Sequence, residues 1–503
     1  MSGSAVVATA IFGVAMVATI VLGVLSSRGR DKGFAEWSVS GRGLGIVFIW
    51  LLMAGETYTS FSFLGTAGWS YEFGVPILYL VGYLTVGLTV AYIASPLLWT
   101  YAARHNLVSI ADIAEHRFRS RPLGILVAVV ATIFLVPYIQ LQIQGMGVVV
   151  NAMSYGAVDL QAAAVVSFVV AEAFILVSGM RGSAWVSVMK DLLVIVTVVF
   201  LAVFIPLHYF DGAGHLLDRL VAEKPDWLTF PGHQSPGYGA GWFISTVVLN
   251  GVTIVAFPNA VAGYLSAKDP TTLRRNAVLL PWYQLLLFIP MMIGAAALFV
   301  APALGDDSDL ALFKLVTDAL PAPVVAVIGV AGALSAIVPM AVFMLSIGTL
   351  WGKTVLGGGN GADPRSPIAP DAAADRGRDL RVKRLSQLVC LIAGVVALGG
   401  SLFKPEALVN LSVLSYEGLA QLVPTILLGL LWRRMSTAGA VSGLLVGSAV
   451  MVALAVTGND PLWGINGGLI ALVPNVLITV VVSLARPSGA RPAAPAATAV
   501  SDR

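Results

Sequence analysis

The sequence predicts an all-α polytopic membrane protein with about 13 transmembrane helices and a five-plus-five inverted-repeat core. Three observations predict it. The 503 residues are 58% hydrophobic and only 11% charged, with mean hydropathy +0.89, a balance foreign to soluble globular domains. Apolar runs of about 20 residues, long enough to cross a hydrocarbon core, recur along the whole chain. Two of them carry polar, glycine or proline interruptions at matching places in two successive groups of five.

The first run, M1 (4–26), is uniformly apolar. It is too long for a cleaved leader and lacks the basic start of one, so it is expected to stay as a span. M2 (43–70) is the anomaly. Its middle reads AGETYTSFSF, placing Gly55, Glu56, Thr57, Tyr58, Thr59 and Ser60 side by side. A carboxylate at mid-bilayer costs about 2.5 kcal/mol or more, and non-helical backbone survives there only where it lines a cavity or packs in protein. M2 therefore reads as a broken helix beside a binding site.

M3 (75–101) is plain, and residues 108–122 read as a short interfacial helix. M4 (123–151) contains VPYIQLQIQ, whose Tyr138 and Gln142 are four apart and share a face. Gln142 suits either a solute contact or interhelical hydrogen bonding. M5 (159–180) holds Glu172, and M6 (186–206) begins with Lys190 and Asp191, expected to anchor the interface or pair with each other. The connection 207–240, with Trp227, Pro231 and Pro236, is either a plain link or a lid.

M7 (241–265) carries Asn250-Gly251 and Phe257-Pro258-Asn259 inside an apolar run. Pro258 removes a backbone hydrogen bond and frees a carbonyl. M8 covers 277–302. M9 (323–351) is rich in small residues, with Ser335, Ser346, Thr349 and a kink at Pro339. Such a stripe packs closely against neighbours, and its hydroxyls also suit a hard cation. Residues 353–384 read as a flexible cytoplasmic linker, followed by M10 (385–402). M11 (408–432) holds Tyr416, Glu417 and Gln421, then Pro424, and suits a gate or pathway role. M12 (438–457) and M13 (464–485) complete a single transmembrane domain over 1–485, and the tail 486–503 is disordered by composition.

The repeats follow from the breaks. Transporters are often built from two inverted repeats whose discontinuous helices meet at the midplane. One repeat would run over M2–M6 (43–206) and the other over M7–M11 (241–432), each opening with a broken helix. Charge sets the orientation. Of 29 Lys and Arg residues, 25 fall in the loops after odd-numbered spans and in the tail. The positive-inside rule then puts the N-terminus outside and the C-terminus in the cytoplasm of a cell membrane. The net charge of +3 reflects this bias, and no nucleic-acid partner is expected.

Catalytic chemistry finds no foothold. The five histidines fall in loops, and no nucleophile–base motif, phosphate loop or HExxH motif occurs, so no catalytic residue or cofactor is expected. The single cysteine, Cys390, excludes an internal disulfide and reads as a small apolar filler.

Six stretches carry a resemblance: EWSVSGRGLG before M2, AGETYTSFSFLGTAGWSYEFG in M2, VPYIQLQIQGMG in M4, SGMRGSAWVSVMKDLL into M6, AFPNAVAGYLSAKDPTTLRRNAVLLPWY from M7 to M8, and VPMAVFMLSIGTL in M9. On these the chain resembles the sodium:solute symporter family over M1 to M13, in particular its monocarboxylate permease branch, with cation/acetate and pantothenate symporters as relatives. The resemblance implies the fold of the leucine transporter, with solute between the broken helices. It implies a sodium site built from M2 carbonyls, here Glu56 and Thr59, and from M9 at Gly332, Ser335 and Ala336. The family pattern has two adjacent hydroxyl residues in M9, whereas this chain has Ser335 followed by Ala336. Glu56 is an acid that many relatives lack there; it either adds an oxygen ligand for Na+ or carries a proton, so the coupling ion is Na+ or H+.

The resemblance thus implies alternating-access symport of a lactate-, pyruvate- or acetate-like monocarboxylate. Thr57, Tyr58, Gln142 and Asn259 would contact it, with Phe61 and Phe257 as the apolar wall. Half-helix ends favour the carboxylate. Competing expectations are a Na+-coupled symporter for an amino acid or pantothenate, a non-transporting membrane sensor, a membrane enzyme and a channel. The short tail argues against a fused signalling domain.

Overall fold

The computed structural model describes residues 3–26, 37, 40–233, 237–356 and 372–485. Helices dominate, and the described residues hold no strand beyond two isolated bridges. Ten helices are individually long and apolar enough to cross a membrane, from Gly3–Gly23 to Gly467–Ala485. Two bent pairs and the shorter apolar stretch Leu160–Phe174 supply the rest of the expected thirteen. Length and apolarity thus locate ten spans, or twelve with the bent pairs, and the shorter Leu160–Phe174 lies where M5 was expected.

The two expected breaks are present. M2 consists of Ile46–Thr57 and Phe61–Phe73, bent by 54°. The helix stops at Tyr58, whose backbone leaves the helical region at φ −92°, ψ 81°, and resumes through a π-turn over Phe61–Gly65. Wide turns of this kind concentrate at functional sites. M7 consists of Ala240–Thr253 and Pro258–Ser266, bent by 41°. Phe257 is extended, and Pro258 opens the second half at a first-turn position where its missing N–H costs nothing. The start of M2 and the end of M7 are stitched together by backbone: Leu44 N–H donates to Ser266 O at 3.1 Å, and Lys268 N–H to Leu44 O at 3.0 Å.

Some elements differ from expectation. M5 and M6 lie in one helical element, Leu160–Phe210, with no coil between them. Lys190 and Asp191 are consequently carried inside the bundle rather than to an interface, and both are fully buried. The interfacial helix is Ile110–Phe118, capped by Ser109 and tied to M11 by Arg117, whose Nε donates to Gly429 O at 2.5 Å. The 207–240 connection holds a helix, Ala213–Glu223, and a seated Trp227 whose indole N–H donates to Ser70 O and Tyr71 O. The expected linker at 353–384 falls mainly outside the described residues; helix begins again at Ala372. The tail 486–503 lies wholly outside them. Cys390 is buried, its thiol donating to Met344 O at 2.9 Å.

Candidate functional site

A break in a spanning helix leaves backbone groups without helical partners, and those groups need others. Around M2 three side chains supply them. Lys190 Nζ donates to Gly55 O. The Ser60 N–H donates to Gln142 Oε1 at 3.3 Å. The Ser62 hydroxyl donates to Thr57 O at 2.7 Å. Close approach makes this possible. A Cβ on Gly145 would stand 2.3 Å from Ser60 Cβ, so M4 reaches the break only because position 145 has no side chain.

The two breaks meet directly. Asn259 Nδ2, in the first turn after the M7 break, donates to Glu56 Oε2 at 3.0 Å, and both residues are buried. Around this bond lie buried polar atoms with no hydrogen-bond partner among the described residues: Glu56 Oε1, the hydroxyls of Tyr58, Thr59, Ser60 and Tyr264, Gln142 Nε2 and Asn259 Oδ1. Buried polar atoms are nearly always paired in native structures. Seven unpaired ones on or beside the two breaks make this the candidate site.

Of the sequence-predicted solute residues, Gln142, Asn259 and Tyr58 line this cluster. Thr57 is half-buried, its hydroxyl returned to Met53 O at 2.9 Å. Phe257 is buried and makes a wall, but with tyrosines. Its ring centroid lies 4.6 Å from Tyr416 and 5.7 Å from Tyr138, and Tyr138 lies 4.7 Å from Phe343. Phe61 sits apart, beside Gly65 on the side where Leu408 of M11 approaches.

The cation residues are only partly assembled. The Thr59 carbonyl accepts the Phe63 N–H at 2.9 Å. The Ser335 hydroxyl donates to Ala331 O at 2.9 Å, and Ser346 and Thr349 likewise bond back to their own helix. Gly332 faces Phe63 and Val149, and Ala336 offers no side-chain oxygen.

Of the two expectations for Lys190 and Asp191, interface anchor or mutual pair, the structure shows the pair, inside the bundle. Lys190 Nζ lies 3.8 Å from Asp191 Oδ1, and both side chains are 0% exposed. Tyr283 of M8 donates its hydroxyl to the same Asp191 oxygen at 3.3 Å, and its ring packs on Tyr58 at 5.8 Å. The signal was present as Lys-Asp inside an apolar run, which marks intramembrane function by default.

Next to the breaks lies a cavity of about 430 Å³, lined by Trp69, Gln140, Tyr238, Trp242, Glu417 and Asp460 among others. M11 connects it to the site: Glu417 lines the cavity, while adjacent Tyr416 packs on Phe257 and donates its hydroxyl to that of Tyr83 at 3.3 Å. Tyr416 thus joins the cavity wall at Glu417 to the M7 break at Phe257.

A family description, "Sodium:solute symporter family", matches residues 37–447. The chain belongs to that family. It is 35% identical over 486 residues to an uncharacterized symporter, YhjB, of Bacillus subtilis (strain 168), covering 94% of this chain and 96% of that one. It is 25% identical over 508 residues to a monocarboxylate transport permease protein of Rhizobium johnstonii, covering 96% and 98%. Its fold is similar to that of a Na+-coupled sialic acid symporter in a substrate-bound outward-open state, with TM-score 0.75, 15% identity and coverage of 96% and 99%. The chain is thus a multi-pass membrane symporter with the inverted-repeat fold, a transporter and not an enzyme, and its family uses coupling ions in place of cofactors.

Proposed function

We propose that this symporter imports small monocarboxylates of the lactate, pyruvate or acetate kind, by alternating access and with a coupling cation. The observation that carries the reading is the Asn259–Glu56 bond between the two breaks, ringed by buried unpaired polar atoms. A carboxylate needs donors, and the Tyr58, Thr59 and Ser60 hydroxyls with Gln142 Nε2 offer them. A short carbon chain needs an apolar wall, and Phe257 with Tyr138 and Tyr416 offers one. The similarity to a monocarboxylate permease over nearly the whole chain supports the same class.

Transport begins with entry from the 430 Å³ cavity past Tyr416 and Tyr83. Binding draws M2 and M7 together around the solute, and the ion-loaded site then opens to the other side. The basic-loop bias supports an N-terminus outside and a C-terminus in the cytoplasm of the cell membrane. One observation favours a second reading. Asn259 Oδ1 and Glu56 Oε1 are acceptors in want of a donor, which an amino acid's ammonium would supply; the hydroxyl of lactate supplies one too.

The test is uptake of labelled lactate, pyruvate, acetate, alanine and pantothenate into proteoliposomes. Accumulation of at least one monocarboxylate above protein-free vesicles is expected. Uptake confined to alanine or pantothenate would sink the substrate class.

A further inference from the structure

We infer that the cavity lined by M2, M7, M11 and the M12–M13 connection is a binding site for an organic ammonium ion, separate from the site at the two breaks. The inference goes beyond the symport reading and holds whichever solute is carried. The cavity measures about 430 Å³, within the range of small-molecule sites. Three aromatic side chains line one part of it: Trp69 of M2, Tyr238 ahead of M7 and Trp242 at the start of M7. They pack on one another, with ring centroids 4.8 Å apart for Trp69 and Tyr238, 4.7 Å for Tyr238 and Trp242, and 5.5 Å for Trp69 and Trp242. Two acids line it as well, Glu417 of M11 and Asp460 of the M12–M13 connection.

Glu417 is the residue that points to a ligand. It is 1% exposed, and neither carboxylate oxygen has a hydrogen-bond partner among the described residues. Close packing holds it there: a Cβ on Gly468, in the first turn of M13, would stand 2.7 Å from Glu417 Cβ. The polar groups facing it are Asp460, a second acid, and Asn466, whose Nδ2 donates to Thr246 Oγ1 at 3.1 Å. Asp460 is itself oriented by the Gly467 N–H, which donates to its Oδ1 at 2.9 Å. Lys404, which also lines the cavity, is 83% exposed and pairs with Glu406 Oε1 at 3.3 Å.

Two carboxylates face to face repel, share a proton or take a cation between them. A shared proton needs no room, whereas these acids line a cavity walled by aromatic rings. A metal ion takes a shell of oxygen ligands, and the described residues hold no group of three or more His, Cys, Asp or Glu that could bind one. Carboxylates beside indole and phenol rings instead suit an ammonium, which donates N–H bonds to the acids and lies against ring faces. An alkyl or aryl group on the nitrogen fills the rest of the cavity against Trp69, Tyr238 and Trp242. The bound ion lies against M11 one residue from Tyr416, whose ring centroid is 4.6 Å from that of Phe257 at the M7 break.

The test is titration calorimetry of the purified chain with 2-phenylethylammonium chloride and, separately, with 2-phenylethanol, which has the same shape and no charge. Saturable binding of the ammonium is expected, with the alcohol about tenfold weaker, the size of one hydrogen bond to a charged group. Glu417→Gln and Asp460→Asn are each expected to weaken ammonium binding about tenfold and to leave alcohol binding unchanged. Asp460→Asn keeps an oxygen for the Gly467 N–H and lies outside the spans, so it serves if Glu417→Gln fails to fold. No saturable binding of the ammonium, or equal affinity for ammonium and alcohol, would overturn the inference and leave the two acids as a proton-sharing contact. Ammonium binding that keeps its full strength in Asp460→Asn would overturn it too.

Discussion

The two broken helices use one backbone device and different chemistry. At the M2 break the freed groups are met by charged and polar partners from other helices: Lys190 on Gly55 O, Gln142 on the Ser60 N–H and Ser62 on Thr57 O. At the M7 break the chain looks after itself. Pro258 removes the donor that would lack a partner, and the Ala256 N–H returns to Thr253 O at 2.8 Å. M7 instead presents an aromatic wall at Phe257 and a single reaching amide at Asn259. A repeat therefore fixes where helices open, while side chains on neighbouring spans decide which half handles charge. Substitutions at the two breaks should accordingly differ in kind and size.

The largest expected loss is at Lys190. Lys190→Met leaves Asp191 buried without its cation, and breaking a buried pair costs about 3–5 kcal/mol. A marked drop in unfolding midpoint is expected, with partial recovery in Lys190→Met/Asp191→Asn. Equal midpoints for wild type and Lys190→Met would remove the ion pair from the M2 break.

Next is Gly145→Ala, which pushes a methyl group into Ser60 where M4 meets M2. Overpacking of this kind costs about 1–3 kcal/mol, read as a lower unfolding midpoint. The M7 counterpart, Pro258→Ala, restores a donor at a first-turn position and should change the midpoint much less. A larger effect at Pro258 than at Gly145 would reverse the comparison.

Asn259→Ala probes the bond that joins the two breaks. It leaves Glu56 Oε2 without its donor, a loss of about 1–3 kcal/mol. The account in transport terms is a raised KM for solute, larger than that for Thr57→Ala, whose hydroxyl only returns to Met53 O.

The smallest effect lies outside the spans, at Asp309 in the connection between M8 and M9. Burial, as the main cause, pushes its carboxyl up to about 6 from an ordinary value of 3.8, against a Leu408 N–H that pulls it down. A raised carboxylate pKa means the unfolded chain loses its proton first as pH rises. Stability should fall between about pH 4 and 6 and level off above. Asp309 is partly exposed, so solvent screens the effect. Asp309→Asn should flatten that segment of a stability–pH curve, and an unchanged slope would exclude it as the source.

Most of the fold was legible because lipid imposes simple rules. Length and apolarity locate spans, and polar or Pro/Gly interruptions locate breaks, as at Gly55–Ser60 and Phe257–Asn259. The candidate site was legible where a residue sits on a break. It was not legible where contacts join distant spans. Tyr83, Tyr138 and Tyr416 come from three helices, and no local pattern announces their meeting. Phe61 looked equivalent to Phe257 in sequence, yet the π-turn at Phe61–Gly65 turns it toward M11. Lys190 and Asp191 could be read either as an interface anchor or as a pair; the single helical element Leu160–Phe210 carries them inside, where they pair. The hydroxyls of M9 looked free, but each bonds to the carbonyl four residues back, a common habit of Ser and Thr in spanning helices.

That the two breaks together form the solute site is tested most directly by a cryo-EM map of the purified chain with saturating lactate. Ligand density between Tyr58, Ser60, Gln142, Phe257 and Asn259 is expected. Density confined to the cavity around Trp242 and Asp460, with the breaks still closed on one another, would contradict it.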